Sequence, residues 1–132
     1  MIKRFFLSIA CFALIDAIWL STIAQPFYQE HLGDMLRTKT EFVPAILFYF
    51  IYLLGLNFFV IHPNTEHSKG HIFTIGALFG LCCYATFDLT SLAVFEGFPT
   101  IVAVVDMIWG GILSGSVALG TIVLDRRLSV NQ

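Results

Sequence analysis

Apolar residues fall into four long runs, Phe5 to Ala24, Phe42 to Ile61, Ile72 to Phe95 and Ile101 to Leu124, separated by short polar stretches. A helix that crosses the hydrocarbon of a bilayer needs about 20 mostly apolar residues, and each run reaches that length. All four prolines stand at the edges of the runs. Pro26 follows the first and Pro63 the second, Pro44 lies in the first turn of the second, and Pro99 just precedes the fourth. Proline is tolerated in a first turn and stops a helix elsewhere. Thr40 and Ser68 are suitable N-caps for the second and third runs. The pattern predicts an all-α, four-transmembrane-helix bundle forming a single integral membrane domain over residues 1–132, with spans at about 5–24, 42–61, 72–95 and 101–124.

Between the first two spans, Gln25 to Glu41 is too long for a plain turn. Tyr28, Leu32, Met35 and Leu36 recur at helical spacing, while Gln29, Glu30, Asp34 and Arg37 fall largely elsewhere. That pattern predicts a short amphipathic helix lying on the outer interface. At the N-terminus, Lys3 and Arg4 precede an apolar run ending in Thr22-Ile23-Ala24, which has features of a secretory signal. The run continues through Asp16 and Trp19 to spanning length, longer than a usual cleavable segment, and is read as a span.

Charge sets the orientation. Lys3, Arg4, Lys69, Arg126 and Arg127 belong to the side holding both termini and the His62–His71 loop, whereas the other side carries only Arg37 and Lys39. The positive-inside rule therefore places both termini in the cytoplasm. Only 12% of the residues are charged and 58% are hydrophobic, against about 25% charged in a soluble domain. The deficit makes the lipid bilayer the first partner. The net charge of −2 offers no basic stripe to nucleic acid.

Asp16, Asp88 and Asp106 interrupt three different spans. An Asp at the bilayer centre costs about 2.5–3.5 kcal/mol on insertion scales, so such residues normally face the bundle interior. Asp16 lies eight residues from Ala24, Asp88 seven from Phe95, and Asp106 seven from Pro99. At about 1.5 Å per residue all three sit roughly 8–12 Å below the outer boundary. The same layer of the second span holds Tyr49, with Tyr52 one turn deeper. In the third span Gly76, Gly80, Tyr84 and Asp88 are spaced by four, followed by Ser91; in the fourth, Asp106, Gly110, Ser114 and Ala118 repeat the pattern. Small-residue stripes of this kind let helices approach closely. Gly111 and Gly115 add a small pair on a neighbouring face.

Asp16-Ala-Ile-Trp19 in the first span recurs as Asp106-Met-Ile-Trp109 in the fourth. On a helix, Trp at i+3 stands over the face of the Asp, and its indole N–H can donate to a carboxylate on its own or a neighbouring helix. No Lys, Arg or His lies within the spans to neutralise the acids. Burial and mutual repulsion both favour the neutral form, so at least one of the three is expected to keep its proton at neutral pH.

The remaining candidate chemistry is sparse. His62, His67 and His71 have a spacing able to hold a metal, yet no cysteine supports them and only Glu66 is near; they read as solvated interfacial residues, and no metal is assigned. Cys11, Cys82 and Cys83 lie in apolar runs and read as small packing residues. No histidine lies deep in a span, which argues against paired haem ligation, and there is no P-loop, G-x-S-x-G, G-x-G-x-x-G or H-E-x-x-H. No cofactor is implied.

Laid out in this way, the chain resembles the bacterial integral membrane family known as domain of unknown function 2177. The matching pieces are Asp16-Ala-Ile-Trp19-Leu20, Phe27-Tyr28 with Leu32-Gly33, Phe48-Tyr49-Phe-Ile-Tyr52 and Pro63. They continue with Gly76 through Gly80 to Tyr84-Ala-Thr-Phe-Asp88-Leu-Thr90, and with Asp106-Met-Ile-Trp109-Gly110. The chain departs from the family pattern at Phe87 and Ser91, where Tyr and Asn are usual. The resemblance implies a small polytopic inner-membrane protein and no particular activity.

The residues themselves suggest a proton or ligand pocket of Asp16, Asp88 and Asp106 walled by Trp19, Trp109, Tyr49, Tyr52 and Tyr84. It would bind or transport a small apolar or cationic molecule, or a proton. A membrane enzyme using a protonated Asp as general acid on a lipid or isoprenoid, and a non-catalytic subunit of a homo-oligomer or of a partner membrane protein, are the alternatives.

Overall fold

The chain is helical from Ile2 to Leu32 in the computed structural model, which describes residues 1–132. Helix α1 (Ile2–Trp19) passes into a π turn (Leu20–Ala24), then into α2 (Gln25–Leu32) and a 3-10 turn (Gly33–Met35). The expectation that Pro26 ends the first helix is therefore corrected. In a regular α-helix the ring of Pro26 would clash with the carbonyl of Thr22, and the bond to that carbonyl would be lost. The π turn relieves this just upstream, where the Gln25 N–H reaches back to the Leu20 carbonyl. The Thr22 hydroxyl closes on the Ile18 carbonyl at 2.5 Å. The short helix expected after the first span is present, but it continues that span rather than standing apart.

Helix α3 (Phe42–Leu56) likewise continues through a π segment (Asn57–Ile61) and a 3-10 turn (His62–Asn64). Its N-cap is Glu41, not Thr40, and no side chain caps it. Pro44 in the first turn brings no N–H, which removes one of the donors a cap would satisfy. Helix α4 (Lys69–Val94) starts at the expected Ser68, whose hydroxyl accepts the His71 N–H at 3.3 Å. Helix α5 (Thr100–Val130) follows directly after Pro99 and runs six residues past the predicted Leu124. There is no strand, and four helical stretches are long and apolar enough to cross a membrane.

Helix α5 is central, packed most closely on α4 and next on α1. The two small-residue stripes face each other. A Cβ on Gly76 would lie 2.9 Å from Gly115 Cα and from the Ser114 carbonyl. One on Gly80 would run into Ser114 and the Gly110 carbonyl, and one on Gly110 would run into the Tyr84 ring. Gly115 is as crowded, with the Phe73 carbonyl 2.8 Å from its would-be Cβ. The core below the acids joins Phe12, Tyr52, Leu56, Val60, Leu113 and Val117.

Just 27 of 132 residues are buried, and large apolar side chains cover the outside of every long helix. Such a surface is untenable in water and matches hydrocarbon. At one end, Asp125 pairs with Lys3 at 3.2 Å and with Arg4 at 3.0 Å. The Arg126 guanidinium donates to the carbonyls of Thr65 and of His67, the latter at 2.8 Å. These contacts tie the N-terminus, the loop after α3 and the end of α5 together.

Candidate functional site

Asp16, Asp88 and Asp106 come from α1, α4 and α5, and all three are buried, with relative exposures of 9%, 0% and 7%. The stripe geometry explains the enclosure of Asp88. Gly76 and Gly80 bring α4 against α5, and two turns beyond Gly80 the same face carries Asp88 against Asp106. Neither Asp88 oxygen has a hydrogen-bond donor, although both are shut off from solvent. Asp106 has a partner on another element: the Tyr28 hydroxyl, from α2, donates to its Oδ1.

Two adjoining cavities lie at this level. One, of about 350 Å³, is lined by Phe48, Cys83, Tyr84, Phe87, Asp88 and Asp106. The other, of about 190 Å³, is lined by Asp16, Trp19, Leu20, Tyr28, Ala45, Phe48, Tyr49, Tyr84 and Trp109. Phe48 and Tyr84 belong to both and form the partition. The repeated Asp-x-x-Trp pieces meet across the antiparallel helices. Trp19 and Trp109 stack with ring centroids 4.3 Å apart and planes 9° from parallel, and the Trp109 side chain is also the polar neighbour of Asp16.

Seven of the eight residues singled out from sequence line one cavity or the other. Tyr52 lines neither. Its hydroxyl is 2.5 Å from Ser114 Oγ, and its ring is buried in the core one turn below. Tyr28 is the polar residue that sequence reasoning left outside the pocket. Eleven residues make three turns of a nearly regular helix, so the face of Asp16 would come round at Phe27. The π turn places one more residue in that interval, and Tyr28, twelve after Asp16, arrives on the acid side instead. The Phe27-Tyr28 pair among the family-like pieces was the available signal.

The three loop histidines do not converge. His62 Nδ1 lies 3.4 Å from Arg4. His71 Nε2 lies 3.1 Å from Asn64 Oδ1, and its ring stacks on that of His67. No three metal-ligating side chains are gathered anywhere in the chain. Chemically, the acid level can accept through its carboxyl oxygens and, where a carboxyl keeps its proton, donate. It presents carboxyl oxygens with unused lone pairs, in apolar and aromatic surroundings, to any proton, cation or hydrogen-bond donor that reaches them.

A helix bundle with this apolar exterior is a multi-pass membrane protein. The chain belongs to the family described as predicted membrane protein (DUF2177), which matches residues 1–123 and so covers α1 to α4, α5 as far as residue 123, and every cavity residue named above. No curated protein and no solved structure matches the chain.

Proposed function

We propose that the protein binds, and moves across or within the bacterial inner membrane, a small cationic ligand or a proton, using the carboxyl groups of Asp88 and Asp106 with Asp16 close by. The observation that carries this reading is Asp88: fully enclosed, with both oxygens unpartnered, against a second carboxyl. Two carboxyl groups lining one small cavity repel when both are ionised, unless a proton or cation joins them, and no Lys, Arg or His of the chain supplies one. An unsatisfied buried acceptor costs about 1–3 kcal/mol, more if charged. A bound ligand or a held proton removes that cost. Tyr28 steadies Asp106 on its outer side, and the aromatic walls favour a cation through their ring quadrupoles. With both termini in the cytoplasm, as the distribution of Lys and Arg predicts, the site lies in the outer half of the bilayer.

The experiment is an untargeted mass-spectrometric comparison of small molecules co-purifying with the wild-type protein and with Asp88→Asn. A species enriched with the wild type and missing from a folded variant supports the reading. Identical profiles from two folded proteins, together with an unaltered phenotype for the variant, refute it.

A further inference from the structure

The cavity beside Asp88 has a side opening. Helix α3 contributes its buried residues from its inner half, Tyr52, Leu53 and Leu56. It meets α4 through the π segment Asn57–Ile61. At mid-depth Phe79 fills the space between them: a Cβ on Gly55 would lie 3.1 Å from its ring, and Tyr52 packs 6.1 Å from it. Above that plug the helices stand apart. The lips of the gap, Phe48 on α3 and Phe87 on α4, are 46% and 61% exposed, and both line the cavity that holds Asp88 and Asp106. Residues that line an acid-floored cavity while lying open on the lipid-facing exterior mark a path between the bilayer and the acids.

From this geometry we infer that the ligand is a membrane-resident amphiphile with a cationic amine head, which enters sideways between α3 and α4 and presents its head to Asp106 and, once side chains shift to uncover its enclosed oxygens, to Asp88, while its apolar tail stays in the bilayer. The inference rests on the functional reading above and names its ligand class. The cavity, about 350 Å³, is near the lower end of ordinary ligand sites, enough for a head group and not for a long chain. When ionised, the Asp88 and Asp106 carboxyls only accept, so in that state the pair calls for a ligand that brings donors or a positive charge. Its walls and lips are aromatic or otherwise apolar, which suits the first methylenes of a tail and disfavours a fully hydrated ion.

Cys83 lines the same cavity and is partly exposed, so it can report occupancy. In the full chain carrying Cys11→Ser and Cys82→Ser, reconstituted in lipid nanodiscs, maleimide labelling of Cys83 is followed with three probes. These are N,N-dimethyldodecylamine, dodecanol of the same chain length, and tetramethylammonium added from water. The amine is expected to protect Cys83 at concentrations about tenfold or more below those of dodecanol, a difference of one decade in affinity, with no protection by tetramethylammonium. Adding Asp88→Asn should remove the preference of amine over alcohol. Equal protection by dodecanol overturns recognition of the head group. Protection by tetramethylammonium as strong as by the amine overturns the sideways path, while leaving an aqueous cation site in agreement with the functional reading. Absence of protection by all three overturns the inference, and the functional reading then stands or falls on the co-purification comparison. The three-probe comparison needs no change at Asp88, so a variant that fails to fold does not block the test.

Discussion

Replacing Gly80 by alanine tests the packing that holds the acids together. An ideal Cβ at Gly80 lies 2.6 Å from Ser114 Cβ and closer still to Ser114 Oγ and the Gly110 carbonyl. Carbon atoms pack best at about 3.5–4.0 Å, so α4 and α5 must separate by roughly 1 Å, because a backbone carbonyl cannot rotate away. Overpacking of this kind costs about 1–3 kcal/mol, and the rigid obstacle puts Gly80 at the upper end. Alanine returns about 1 kcal/mol in helix propensity, so the net loss should be about 2 kcal/mol. Gly70 is the control, in the first turn of the same helix with nothing within 4 Å of its would-be Cβ. There the propensity gain, up to about 1 kcal/mol, should appear without a penalty. Unfolding in mixed micelles with rising denaturing-detergent fraction reads both variants. Gly80→Ala at least as stable as the wild type, with Gly70→Ala behaving as described, would refute the close α4–α5 contact and with it the apposition of Asp88 and Asp106.

Three further outcomes are expected. Tyr28→Phe keeps the ring but leaves Asp106 Oδ1 without its donor; the loss should be about 1–3 kcal/mol in the same assay, and an unchanged midpoint would count against the α2–α5 contact. The chain has two tryptophans, stacked face to face, so the wild type should show an exciton couplet in far-ultraviolet circular dichroism that Trp109→Phe abolishes without loss of helix; a couplet that persists contradicts the stack. Reporters fused after Gln132 and within residues 64–70 should read cytoplasmic, and one near Asp34 exported; a cytoplasmic signal near Asp34 would reverse the orientation.

The spans were legible because lipid imposes a simple rule: about 20 apolar residues with breakers at the ends. The Gly76-Gly80-Tyr84-Asp88 and Asp106-Gly110-Ser114-Ala118 stripes were legible for a related reason. Close helix approach in a membrane selects small residues at a four-residue spacing, and the two stripes do meet. The recurrence of Asp-x-x-Trp pointed to Trp19 and Trp109 on the acid faces, though not to their stacking on each other. The π turn was hidden. Pro26 has the same local signature whether it ends a helix or is accommodated by a widened turn, and the outcome rests on contacts of the following segment with α5, 78 residues away in the case of Tyr28 and Asp106. Tyr52 lies one turn below the acids as expected but is not part of the pocket wall, because counting residues fixes depth but not which neighbour a hydroxyl finds, here Ser114.

The central claim is that the Asp88 carboxyl works as an acid or anion rather than as a spacer between helices. Asn keeps its size and can both donate and accept hydrogen bonds, but it cannot hand over a proton or carry the charge. The direct measurement is a growth competition, under conditions where a deletion strain is distinguishable from wild type, between strains whose chromosomal copy encodes wild type, Asp88→Asn or no protein, with membrane abundance and detergent stability checked in parallel. Asp88→Asn is expected to insert and fold at wild-type levels and to compete like the deletion; a stable Asp88→Asn protein that competes like the wild type would contradict the claim.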